Sequence, residues 1–266
     1  MNDILTYILL GIIEGLTEFL PVSSTGHLIL AGELFGFNDT SSVTFKIAIQ
    51  FGAILAVLVA YWRTFWDRGM GLLRRDPQSV AFVRNILIGF APALVIGVIA
   101  YDAIRAAMQT PVIVAVALIV GGIAILLIER IVKIVRYSRV EAIPTGTAVS
   151  IGLVQCIAML PGVSRSGATI MGSLLMGVER KTAAEFSFFL AVPTMLAATV
   201  YSLWKDRALL SLDDFGAIAI GFVSAFVVAL LVVRAFVKVV GRYGFAPFAW
   251  YRIAAGTAAL IWSLAR

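Results

Sequence analysis

Long unbroken apolar runs constrain this chain more than any other feature. A helix needs about 20 predominantly apolar residues to cross the hydrocarbon of a bilayer. Six segments come near that length: Phe45 to Trp62, Val80 to Tyr101, Pro111 to Val132, Glu185 to Leu203, Phe215 to Val233 and Phe245 to Leu264. Of the 266 residues, 61% are hydrophobic and only 14% are charged. A soluble domain is nearer half apolar and a quarter charged. The runs are continuous rather than alternating, which argues against a β-barrel. The expected fold class is therefore an all-α integral membrane protein, with residues 1–266 in a single membrane domain.

Two further apolar regions are each broken near the middle by polar residues. EGLTEFLPVSSTGHLIL, Glu14 to Leu30, interrupts the first, and PGVSRSGAT, Pro161 to Thr169, interrupts the second. Each half is too short to span alone. Pro21 and the Pro161–Gly162 pair do not continue an ordinary helix. Both regions, 4–35 and 147–178, read as re-entrant helical hairpins that return to the side they entered from.

The two motifs also align with each other. Shifting the chain by 141 residues places Val22 on Val163, Ser23 on Ser164, Gly26 on Gly167, Gly36 on Gly177 and Phe45 on Phe186. Glu14 falls on Gln155 and Thr25 on Ser166. Apolar bias does not account for the polar matches. The chain therefore reads as an internal repeat of one hairpin plus three spans, residues 1–135 and then 142–266. Three is odd, so the second copy is inverted in the membrane.

Basic residues support that topology. Arg63, Arg68, Arg74, Arg75 and Arg84 follow the first span; Arg130, Lys133, Arg136 and Arg139 follow the third. Arg180 and Lys181 precede the fourth, and Arg234, Lys238 and Arg242 end the fifth. All are expected on the cytoplasmic side, leaving only Lys46, Arg105, Lys205, Arg207 and Arg266 opposite. The net charge of +6 thus reads as topology signals and lipid-headgroup contacts rather than a nucleic-acid footprint. Cys156 is the only cysteine, which excludes an intrachain disulfide. The N-terminus shows no basic region or small-residue cleavage site, so no removable signal peptide is expected.

In this arrangement the hairpin tips meet inside the protein. Irregular backbone at membrane depth survives only when buried in protein or lining a wet cavity, so the polar runs read as the walls of a site. Glu14 and Glu18 share a helix face. Two close carboxylates repel unless a cation sits between them, which suggests a divalent metal or an acid–base pair. Ser23, Ser24 and Thr25 offer hydroxyls, either as nucleophiles or as partners for freed backbone groups. His27, the only histidine, suits a general base, acid or nucleophile. Arg165 keeps its charge in low dielectric and needs an anion. Its setting of Ser164, Ser166, Gly167 and Thr169 suits an oxyanion or phosphate cradle, or an ion pair with Glu14 or Glu18. These residues point to a hydrolase or transporter of a lipid-linked anion.

Both motifs resemble the signatures of the bacterial undecaprenyl-diphosphate phosphatases, the bacitracin-resistance family, and the similarity extends over essentially the whole chain. The resemblance implies hydrolysis of undecaprenyl diphosphate, or of shorter polyprenyl diphosphates, to the monophosphate and inorganic phosphate. The product would re-enter peptidoglycan synthesis, and abundant enzyme would confer bacitracin resistance. It also implies a Mg²⁺ or Ca²⁺ requirement and a site in the bacterial inner membrane that opens to the periplasm. By motif position, Glu18 with Glu14 would bind metal, and Ser24 and His27 would supply the nucleophile or acid–base pair. Arg165 would hold the diphosphate, assisted by Ser23, Thr25, Gly26, Ser164, Ser166, Gly167 and Thr169. The inverted repeat keeps a flippase for the lipid phosphate as the rival reading. Homodimers are common and are the expected assembly if the chain self-associates.

Overall fold

The computed structural model describes residues 3–36, 41–101, 104, 111–205 and 215–265. They form α1 Asp3–Thr17, α2 Ser24–Phe35, α3 Ser41–Ala60, α4 Trp62–Leu73, α5 Pro77–Ile99 and α6 Pro111–Ile131. There follow α7 Thr145–Gln155, α8 Arg165–Leu175, α9 Arg180–Lys205, α10 Phe215–Tyr243 and α11 Ala246–Leu264. A 3-10 turn, Cys156–Met159, extends α7. Among the described residues there is no strand, only an isolated bridge between Tyr137 and Val178.

Helices α5, α6, α9 and α10 are long and apolar enough to cross a membrane. A fifth span results if α3 and α4 are taken together, although the chain bends by 71° between them. The sixth expected span, Phe245 to Leu264, corresponds to α11, which is not among these helices; it carries Arg252 within its apolar run. Among the described residues, length and apolarity thus identify four or five candidate crossings. Of the arginines that follow the first expected span, Arg63 and Arg68 lie on α4 and Arg84 lies within α5. Arg105, Arg207 and Arg266 fall outside the described residues.

The element ends follow local chemistry. α5 begins where Asp76 accepts the Ser79 amide at 2.8 Å, with Pro77 at the first helical position, where its missing N–H costs nothing. Gly11 and Gly15 bring α1 against α10. A methyl on Gly15 would lie 2.7 Å from the Ala225 carbonyl oxygen, so only glycine permits that approach. Phe186, Phe188 and Phe189 of α9 fill the centre together with Phe19, Phe236 and Phe245. Since lipid is as apolar as these rings, close packing rather than water exclusion holds the helices together.

Both interrupted regions break where the sequence places polar residues. α1 gives way to turns after Thr17, and α7 with its 3-10 extension gives way after Met159. The helices resume at Ser24 and Arg165 with matching caps. Ser23 (φ 72°, ψ 90°) accepts the Gly26 amide, and Ser164 (φ 80°, ψ 117°) accepts the Gly167 amide. Each resumed helix then meets a left-handed glycine, Gly36 at φ 70° and Gly177 at φ 83°. All three pairs carry the spacing of 141 seen in the sequence. Left-handed backbone at a serine costs on the order of 1–3 kcal/mol, and such strain concentrates at functional sites.

Candidate active site

The two breaks face one cavity of about 150 Å³, lined by Glu18, Ser23, Ser24, Thr25, Ser164 and Arg165 from the motifs. Gln50 of α3 adds a further polar wall. Met159, Leu160, Met195 and Ala198 supply an apolar one. Ser24 and Thr25 open α2, and Arg165 opens α8. The positive ends of both helices therefore border the same space, an arrangement that favours an anion.

Glu18, Ser24 and Arg165 form one connected chain. Arg165 Nη2 donates to Glu18 Oε1 at 3.0 Å. Ser24 Oγ donates to Glu18 Oε2. Arg165 is fixed further by Nη1 donating to the Ser187 carbonyl at 2.9 Å and by Phe19, whose ring centre lies 5.6 Å from the guanidinium carbon. The Arg165 Nε is buried with no partner. One acid lining the anion-favouring cavity therefore holds both a serine hydroxyl and a guanidinium.

Glu14 lies one helical turn before Glu18, whose amide donates to the Glu14 carbonyl at 2.9 Å. Its side chain is fully buried, and neither carboxyl oxygen has a hydrogen-bond partner. A buried carboxyl group left unpaired is costly. Among the described residues no group of three or more His, Cys, Asp or Glu is placed to hold a metal. Mg²⁺, however, is commonly held by one or two carboxylates, with water and substrate phosphate completing the shell. The orphaned Glu14 carboxyl beside Glu18 fits that donor set.

The remaining expected site residues do not line the cavity. Thr169 Oγ1 donates within α8 and meets Ser187 Oγ at 2.6 Å. Ser166 Oγ donates to the Leu20 carbonyl at 2.7 Å, tying α8 to the first break. Gly26 and Gly167 give their amides to the serine caps. These groups hold the two breaks in shape, and their donors are already used.

His27 departs most from expectation. Its Nδ1 meets the Ser23 carbonyl at 2.8 Å, and its Nε2 meets the Tyr251 hydroxyl at 2.7 Å. The rings of His27 and Tyr251 stack with centres 5.6 Å apart. A carbonyl only accepts, so Nδ1 carries the proton and Nε2 accepts from Tyr251. Both nitrogens are engaged, and His27 is not among the residues lining the cavity. His27 thus holds the backbone of Ser23 instead of facing the cavity beside Arg165.

Arg252, Tyr251 and Gln50 were missed in the sequence. Arg252 carried a usable signal: like Arg165, it is an arginine inside an apolar run. Tyr251 and Gln50 carried none that separates them from ordinary interfacial or helix-packing residues.

Fold and cavity together define a polytopic helical membrane protein with an arginine–carboxylate–hydroxyl site between its helices. The family described as bacitracin resistance protein BacA matches residues 7–258. The chain belongs to that family. A Sphingopyxis alaskensis protein named undecaprenyl-diphosphatase is 71% identical over 262 residues, 98% of each chain. Proteins of the same name from Rhizorhabdus wittichii and Novosphingobium aromaticivorans are 62% identical over 264 residues and 57% over 266. The former comparison covers 99% of each chain and the latter 98%.

Proposed function

We propose that this chain removes the terminal phosphate of undecaprenyl diphosphate, releasing undecaprenyl phosphate and inorganic phosphate. The connected Ser24–Glu18–Arg165 arrangement carries the proposal, together with near-complete alignment to relatives named undecaprenyl-diphosphatase. The substrate is a lipid, and a cavity with one apolar wall between membrane helices lets its tail stay in hydrocarbon. Neither the relatives' names nor the cavity favours the flippase reading.

Arg165 and the N-terminal amides of α2 and α8 bind the terminal phosphate and stabilise charge on its equatorial oxygens. Ser24 Oγ attacks phosphorus as its proton passes to Glu18. The bond to the bridging oxygen breaks, and the lipid monophosphate departs. Glu18 then gives that proton to solvent; water attacks the phosphoseryl group as Glu18 takes its proton and returns it to the departing Ser24 Oγ, and inorganic phosphate is released. Glu14 and Glu18 would hold a divalent cation, Mg²⁺ or Ca²⁺, which when bound neutralises diphosphate charge. His27 orients Ser23, the residue that caps the helix opened by Ser24.

In the proposed topology, residues 4–35 and 147–178 are re-entrant hairpins entering from opposite leaflets. Six helices span the bacterial inner membrane as an inverted repeat, with α11 completing the set, and the cavity opens to the periplasm. The matched caps at Ser23 and Ser164 support the repeat. The test is phosphate release in detergent from undecaprenyl diphosphate and from farnesyl diphosphate, with Mg²⁺, with Ca²⁺ and with chelator. Metal-dependent release supports the assignment. Absence of release from both lipids, with the protein folded and metal present, overturns it.

A further inference from the structure

Among the described residues Arg252 is the largest fully buried side chain, 1% exposed. Among the described residues no carboxylate pairs with it. Its five N–H bonds all go to backbone carbonyls. Nη1 donates to Pro21 and Val163 at 3.0 Å each, and Nη2 to Gly162 at 2.9 Å and Ala117 at 3.1 Å. Nε reaches Leu118 at 3.3 Å. Pro21 belongs to the first break, and Gly162 and Val163 belong to the second. One guanidinium from α11 therefore ties the two interruptions to each other and to α6.

A buried cation without an anion is expensive, and a neutral side chain would fill the space at lower cost. Arginine is suited to the position because its planar fork supplies five fixed donors at once. The carbonyls it holds lie one or two residues before the caps Ser23 and Ser164, so their orientation sets the direction in which α2 and α8 start. That direction aims Ser24 at Glu18 and Arg165 across the cavity. We infer that Arg252 is a positioning residue for phosphoryl transfer: it fixes the two breaks so that Ser24 and Arg165 meet the same phosphate. The inference rests on the proposed phosphatase reading.

Two variants test it without deleting the charge. Arg252→Lys keeps the cation but supplies three donors instead of five. Gly121→Ala leaves Arg252 intact and puts a methyl 2.0 Å from its Nη2, displacing the fork while substituting a better helix former. Melting in detergent reports folding, and phosphate release against lipid concentration gives kcat and KM. In folded variants the expected result is a kcat lower by on the order of tenfold to a hundredfold, the scale of a misplacement near 1 Å, with KM within about threefold. A kcat within twofold of wild type in the folded variants overturns the inference, as does a change confined to KM. If neither variant folds, Arg252 serves folding alone and the inference is equally overturned. Wild type is run alongside: no release from wild type overturns the phosphatase reading itself, and the inference with it.

Discussion

Arg165 and Glu18 are 147 residues apart in sequence and 3.0 Å apart in space, joined through Nη2 and Oε1. Their side chains are 14% and 8% exposed, so each relies on the other for charge compensation. Removing one partner of such a pair costs about 3–5 kcal/mol, because the other charge is left buried and alone. Arg165→Met should therefore lower the melting temperature in detergent, and adding Glu18→Gln should recover much of the loss. Neither variant should turn over; the expected fall is at least about a hundredfold, the scale of losing one charge-stabilising donor. Near-normal phosphate release by Arg165→Met would remove the arginine from the mechanism.

The place of His27 predicts an unusual rank order. If the ring acts by holding the Ser23 carbonyl, then His27→Asn, whose amide also donates, should retain more activity than His27→Ala. Tyr251→Phe removes one hydrogen bond, worth about 1 kcal/mol, and should slow turnover by up to about tenfold. Combined with His27→Ala it should add nothing further, since both act through the same contact. Full additivity of the two changes would show that Tyr251 acts elsewhere.

Glu14 is tested by metal dependence. Glu14→Gln keeps the shape of the side chain and removes its charge. The concentration of Mg²⁺ or Ca²⁺ giving half-maximal phosphate release should rise at least about tenfold, as expected when one of two carboxylate ligands is lost. An unchanged metal titration would place the cation elsewhere.

Gly162 adopts φ 88°, and a methyl there would lie 2.6 Å from the Val114 carbonyl oxygen. Gly162→Ala should cost about 1–2 kcal/mol for the backbone alone, with the clash added, and should lower the melting temperature. It also moves a carbonyl held by Arg252, so kcat should fall in whatever fraction remains folded.

Much of this architecture was written in the sequence because lipid makes polar residues conspicuous. Pro21, Pro161–Gly162, Glu18 and Arg165 stand out in apolar runs, and they mark the two breaks the structure contains. The two cap serines, Ser23 and Ser164, stand 141 residues apart, the spacing at which the motifs align in the sequence. Spans were less legible. Apolarity alone does not reveal that the chain turns by 71° after Ala60, or that α11 trades apolar character for a buried cation. Side-chain direction was legible least of all. The one-letter string places His27 three residues after Ser24, but the first turn of α2 sends its ring to Tyr251, 224 residues away. Thr169 and Ser166 likewise read as free hydroxyls until packing supplied their acceptors.

The most direct test follows the phosphate itself. Wild type mixed with undecaprenyl diphosphate carrying label on its terminal phosphate is quenched within a turnover, once in acid and once in alkali. Acid-stable label on Ser24, absent from Ser24→Ala, is the predicted result. Acid-labile label on His27, or undiminished phosphate release by Ser24→Ala, would contradict the assignment of Ser24, Glu18 and Arg165 as the centre where the phosphate is transferred.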